Sequence, residues 1–237
     1  MKKQLLFLLF VLMPLAGCTT HQTSPPSVTQ NSIATSLSTV NAEFTTRVYG
    51  TGSDALTHGH LWRSPTRVEW LDITTNTSEI WTKTSQNLWF YSKAFHADQQ
   101  VIEYSPVDLN LLQVAPAWQS FAAAINPALL QKLPKTREIS PLGDMNRIQY
   151  RGTIDQVTYE VDWLPELALA TRVKTVEKGV TRVTELKQPL LTSDDSKAPQ
   201  NISRYRFIEY SDLGDMERDP FVMKVQHSLL GAHEHSH

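Results

Sequence analysis

Between Gly59 and Tyr104 the chain places four of its six tryptophans, Trp62, Trp70, Trp81 and Trp89. This stretch, GHLWRSPTRVEWLDITTNTSEIWTKTSQNLWFYSKAFHADQQVIEY, restricts the fold more than any other. Its apolar residues come in short runs rich in Trp, Tyr, Phe, Val and Ile, which suit a pleated, half-buried surface. Between the runs lie Ser64-Pro65, Asn76-Thr77-Ser78 and Ser85-Gln86-Asn87, small polar residues that make turns. The pattern predicts an antiparallel meander of four or five strands with one apolar face. Val68 and Trp70 point one way, Arg67 and Glu69 the other. A face so rich in indole rings must be covered, either by the chain itself or by an apolar guest.

The first seventeen residues belong to no fold. Lys2 and Lys3 precede an apolar run, Leu5 to Leu15, that is too short to span a bilayer, and Leu15-Ala16-Gly17-Cys18 follows. Residues 1–17 read as a secretory signal. The string resembles the bacterial lipobox, whose cysteine is lipidated and becomes the new N-terminus; a plain secretory signal is the alternative. Cys18 is the one cysteine of the chain, so no disulfide is available. The lipobox implies a membrane met through acyl chains on Cys18. Thr19 follows it rather than Asp, which by resemblance to the enterobacterial sorting rule implies the outer membrane, facing the periplasm. Residues 18–31 are polar and rich in Pro, Ser and Thr, a tether. The net charge is −2 before Lys2 and Lys3 are removed, and no basic patch stands out. That balance excludes nucleic acid as the partner.

Beyond the tether, Ile33, Leu37, Val40 and Phe44 fall at helical spacing, so a short helix is expected to lead into a strand through Tyr49. Ser105 to Pro116 reads as irregular. Trp118, Phe121, Ala122, Ile125, Leu129 and Leu133 form an apolar stripe interrupted at Pro127, which predicts two short helices broken at Asn126. A second meander is expected over Arg147 to Arg151, Gln156 to Trp163, Leu169 to Glu177 and Val180 to Leu186, with a hairpin turn at Lys178-Gly179. After a polar loop, Arg204 to Tyr210 reads as a last strand and Glu217 to Leu230 as a helix. The fold class is α+β, mainly β: roughly ten antiparallel strands in one strongly curved sheet, with short helices in its concavity.

Trp62-Arg63-Ser64-Pro65 through Trp70, then Asn87-Leu88-Trp89-Phe90-Tyr91, then Gln100-Val101, resemble the periplasmic lipoprotein-carrier superfamily of LolA, LolB and relatives. Pro127 to Leu130 and Tyr159 to Pro165 sit where that superfamily has a lid helix and a following strand. The resemblance spans about residues 33 to 210. It implies an unclosed β-barrel, capped by helices, whose apolar cavity holds acyl chains of a lipid or lipoprotein. The family arginine that latches the lid is matched by Glu69, while Arg67 lies two residues away on the same strand face. Glu cannot donate as Arg does. The domain is set at 32–210, with 211–237 as a C-terminal helix and tail.

The residues expected to line the cavity are Trp62, Val68, Trp70, Trp81, Trp89, Tyr91, Tyr159 and Trp163; a closed aromatic core is the alternative. The tail carries His227, His233, His235 and His237, a pattern that suits zinc, copper or nickel if it binds metal at all. Asp212, Asp215, Glu217 and Asp219 read as acidic groups at a helix start. Glu160 and Asp162 alternate outward from an apolar face. No nucleophile elbow, phosphate loop, dinucleotide fingerprint or zinc-type cysteine set occurs, so a catalytic site is not expected. The leading expectation is a monomeric, non-enzymatic lipid-binding lipoprotein. The competing ones are a metal-binding lipoprotein that uses the histidine tail and a module that senses envelope components.

Overall fold

The computed structural model describes residues 37–50, 52, 54–113, 118–191, 199–226 and 229. The predicted meander is present as five strands, β2 to β6: Ala55–Arg63, Arg67–Asp72, Thr77–Lys83, Trp89–Phe95 and Gln100–Tyr104. Strand β1 (Val40–Tyr49) precedes them. The second half gives β7 (Lys135–Leu142), β8 (Met145–Ile154), β9 (Val157–Leu164), β10 (Leu169–Glu177), β11 (Val180–Leu191) and β12 (Arg206–Glu209). All twelve belong to one sheet, in the order β12-β6-β5-β4-β3-β2-β1-β11-β10-β9-β8-β7. β1 and β11 join the two meanders at the middle, and the sheet ends at β12 and β7 without closing. The unclosed barrel that the resemblance implied is therefore the architecture found.

Among the described residues four short α-helices accompany the sheet: α1 (Pro106–Leu111), α2 (Trp118–Ala123), α3 (Pro127–Leu130) and α4 (Pro220–Val225). The break at Asn126 is real: its side chain caps α3 by accepting from the Ala128 N–H, and Pro127 opens that helix. The Lys178-Gly179 turn is also as read, with φ of 47° and 85° between the paired Glu177 and Val180. Two left-handed residues in a row are what a tight hairpin of this twist requires.

Four readings need correction. The helix expected over Ile33 to Phe44 gives way, in its described part, to irregular chain and then to β1 from Val40. Val40, Ala42 and Phe44 are buried at period two, and pairing with both β2 and β11 outweighs an equally good helical spacing. The stretch read as irregular contains α1, whose Ser105 and Asp108 form a reciprocal capping box with Pro106 as the first helical residue. β7 was not read because it is a polar edge strand, almost wholly exposed. Finally, β12 lies parallel to β6, so the sheet is not antiparallel throughout.

The helices cover one face of the sheet. There Val68, Trp81, Tyr91, Ile102 and Tyr104 are each at most 2% exposed. Phe121 of α2 meets Trp81 and Tyr91 with ring centroids 6.0 and 6.3 Å away, and Phe221 of α4 stands edge-on to Phe95 at 5.1 Å. A second cluster lies under α3, where Ile125, Leu130 and Leu133 pack on Val161 and Ala170. Each buried ring removes roughly 150–250 Å² from water, on the order of 4–6 kcal/mol as an upper bound. Among the described residues no helix is long and apolar enough to cross a membrane.

Candidate functional site

Strands β3 to β6 supply the aromatic floor of the helix-covered face. Trp81, Tyr91 and Tyr104 form a chain of tilted rings at 5.2 and 5.3 Å, each contributed by a neighbouring strand. Trp70 sits edge-on to Phe44 at 4.9 Å. At the strand ends, half-buried Trp89 stacks flat on Trp118 of α2, with centroids 4.2 Å apart and planes at 14°. Tyr159 and Trp163 also lie on this face, half-buried against the cluster beneath α3. Seven of the eight tryptophan, tyrosine and valine positions expected to line a cavity thus share one face. Trp62 does not: Leu61 and Arg63 beside it are buried on the helix side, while Trp62 stacks on His60 at 5.3 Å and pairs across the strand with Glu69. One residue of register decides its face.

The six-residue helix α2 fills the floor like a plug, and two polar ties hold it there. The Trp70 indole N–H donates to the carbonyl oxygen of Phe121 at 3.0 Å. Arg63, only 1% exposed, supplies the second. Its Nη1 donates to the carbonyl oxygens of Ala122 (2.6 Å) and Ala168 (3.2 Å), its Nη2 to that of Leu167 (2.5 Å), and its Nε to that of Ser38 (3.2 Å). The first three are at the carbonyl ends of α2 and of the 3-10 turn Pro165–Leu167, where a cation meets the negative end of each dipole; Ser38 lies just before β1. Burial pulls the Arg63 guanidinium down to about 10, which still leaves it charged at neutral pH. Just past each gripped turn, Ala124 and Ala168 are left-handed, with φ of 58° and 46°, a conformation that costs a residue with a Cβ.

Neither Arg67 nor Glu69 is a latch. Both face away from the helices, and Arg67 Nη2 lies 2.6 Å from Glu69 Oε2. The arginine that ties helices to sheet comes from β2 instead, seven residues before the following tryptophan. Pattern reading missed it because a buried guanidinium is rare without a carboxylate partner; here backbone carbonyls replace one.

Sequence reading also missed a polar spot inside the apolar face. Glu79 shares that face with Trp81 two residues on, and burial pushes its carboxyl up, opposed by Lys93 and by a hydrogen bond from the Tyr91 hydroxyl. The same burial and the Glu79 charge hold the Tyr91 phenol well above its ordinary value. The Trp81 Nε1, fully buried beside these groups, meets no acceptor among the described residues. An apolar face with a few convergent polar groups is the usual composition of a small-molecule site.

On the other face, Glu160 accepts from Arg172 at 2.6 Å, and Asp162, buried at 7% exposed, accepts from Gln149 at 3.1 Å. Asp219 caps α4. No group of three or more His, Cys, Asp or Glu suited to a metal occurs among the described residues. Cys18 and its tether, and His227, His233, His235 and His237, lie outside those residues.

No family model matches the chain, and no curated protein does. Solved structures share parts of its layout. The LolA superfamily protein NE2245 from Nitrosomonas europaea is 11% identical, with 70% of this chain and 91% of that one covered and a TM-score of 0.34. MucB is 12% identical over 73% of this chain and 62% of its own, TM-score 0.42. PNGF-II is 12% identical over 76% of this chain, TM-score 0.39, and this chain spans 33% of its length. At such values the likenesses say nothing of role, and the fold rests on the strand order above.

Proposed function

We propose that this chain is a non-enzymatic, lipid-anchored envelope protein that takes an acyl chain of a lipid or lipoprotein onto its aromatic face when α2 withdraws. The observation that carries this is the plug itself: a six-residue helix, set over an aromatic floor, held by Arg63 and the Trp70 indole. Displacing Phe121 and Trp118 would bare Trp81, Tyr91 and Trp89, and a chain entering there gains about 0.8 kcal/mol per buried methylene. The Trp81 N–H would then meet an ester or carboxyl oxygen. In this reading Cys18 carries the anchor, and the protein sits on the outer membrane facing the periplasm.

The test is equilibrium titration of delipidated protein with a fatty acid bearing a polarity-sensitive fluorophore. Saturable uptake is expected, tighter in Arg63→Lys, whose single ammonium cannot hold all four carbonyls. If neither protein shows saturable uptake while both remain folded, the acyl-chain reading is wrong.

A further inference from the structure

The face away from the helices carries a recess of its own. A groove of about 690 Å³ lies over the outer side of β3 to β6, walled by the segment 199–203. It is not a gap left by loose packing. One strip of that outer face, Ile80, Ala94 and Val101, is sealed by Ile202 and Tyr205. Beside it the groove stays open over Ser92 and Glu103, with half-buried Phe90 at one end and Phe207, paired with Val101 and 49% exposed, at the other.

A chain of polar groups, exposed at Gln200 and buried at its inner end, fixes the wall to the floor. Gln200 Nε2 donates to the Tyr205 hydroxyl at 2.7 Å, which lies 3.2 Å from His96 Nδ1. His96 Nε2 lies 2.8 Å from Ser78 Oγ, and that hydroxyl donates to Glu69 Oε1 at 2.8 Å. Ser78 has one proton and gives it to Glu69, so His96 donates through Nε2 and Tyr205 donates to its Nδ1. Arg67 closes the run on Glu69. Glu69 and Ser78 are fully buried and His96 is 6% exposed. The wall is thereby held at a set distance from the open strip.

The charges of the groove do not balance. Arg67, the cation at its rim, is engaged by Glu69. Glu103 lies in the groove, in register with Glu209 on β12, and among the described residues it is in no ion pair. Burial and the Glu209 charge push the Glu103 carboxyl above its ordinary range. A cation placed there would neutralise a half-buried carboxylate that the fold leaves uncompensated, and an apolar body attached to it would cover Phe90 and Phe207.

We propose that this outer groove binds a small organic cation, an ammonium group on an aromatic or apolar stem, with the ammonium on Glu103 and the stem between Phe90 and Phe207. The site is on the opposite face from the acyl-chain site and does not depend on it.

Phenethylammonium is the probe and 2-phenylethanol its neutral counterpart, each titrated into the ¹⁵N-labelled full chain at pH 7. The amine should shift the amides of Phe90, Ser92, Glu103 and Ile202 while those of Trp81 and Phe121 stay still. The alcohol should bind at least about tenfold more weakly, and Glu103→Gln should weaken the amine by a similar factor. Phe207→Ala, on an exposed edge strand that tolerates truncation, should weaken amine and alcohol alike. Equal binding of amine and alcohol, unchanged amine affinity in Glu103→Gln, shifts confined to the helix-covered face, or no binding at millimolar amine would each overturn the proposal.

Discussion

Arg63 reaches across from β2 and donates to the carbonyl oxygen of Ala122, the last turn of α2, at 2.6 Å. The same guanidinium grips Leu167 and Ala168, so one side chain holds both the plug helix and the turn between β9 and β10. Two of the nine described non-glycine residues with left-handed backbone, Ala124 and Ala168, lie at these grips. Strain of this kind persists only where surrounding contacts enforce it.

Arg63→Leu should therefore destabilise strongly. A charged hydrogen bond contributes about 1.5–3 kcal/mol, and four carbonyls lose their donor together, so a loss of at least about 3 kcal/mol is expected. Chemical denaturation measures it. Ala124→Gly should recover part of that loss, because glycine adopts the left-handed turn freely. A variant of wild-type stability would show that Arg63 holds nothing.

Of the described glycines, Gly59 has the closest neighbours. It stands opposite Phe44 on β1, and a Cβ there would lie 1.7 Å from the Leu71 carbonyl oxygen and 2.8 Å from the Phe44 ring. The ring could turn aside, but the carbonyl belongs to the β2–β3 ladder and cannot. Gly59→Ala is expected to cost more than about 2 kcal/mol, at the upper end for overpacking. Gly143→Ala, where no atom approaches within 4 Å but φ is 59°, should cost less. Thermal unfolding of the two variants side by side decides the order.

Much of this was legible beforehand. Val68, Trp70, Trp81 and Tyr91 declared their common face by alternation, and Lys178-Gly179 and Asn126-Pro127 declared their turn and break. Period alone could not place Val40 to Phe44, since their spacing fits strand and helix alike until β2 and β11 are known to flank them. Arg63 and Glu79 were hidden for another reason. A charged residue in a strand reads as solvent-facing, and only the third dimension shows carbonyls or a Tyr91 hydroxyl waiting for it. The outer groove was equally silent, because Glu103 and Phe207 are brought together by a parallel pairing between distant segments.

His96 gives the fold a pH dependence of definite sign. Burial lowers its value below the ordinary one of about 6.5, with the Glu69 charge opposing. The folded state thus binds fewer protons than the unfolded one in the window between the two values. Stability should be full above about pH 6.5 and decline as pH falls through that window, by at most about 1.4 kcal/mol per pH unit for one proton. Wild type and His96→Gln compared by urea unfolding between pH 5 and 8 isolate the effect. The variant should be less stable at pH 8 and show a shallower slope; an identical slope would remove His96 as its source.

Trp81 and Trp89 separate the floor from the plug. Trp81 is 2% exposed and enclosed by Tyr91 and Phe121, so Trp81→Ala should cost about 3–5 kcal/mol, as deletion of a large core aromatic does. Trp89 is half-buried at a strand end, and its main partner is the face of Trp118. Such a stack adds about 0.5–1.5 kcal/mol beyond area, so Trp89→Ala should cost less than about 2 kcal/mol. Its larger effect should be on the helix. With the stack gone, α2 would leave the floor more readily, and the fluorescent fatty acid should enter faster in stopped-flow mixing than it enters wild type. A Trp89→Ala protein as destabilised as Trp81→Ala, with no change in entry rate, would mean that α2 is a fixed part of the core and not a plug.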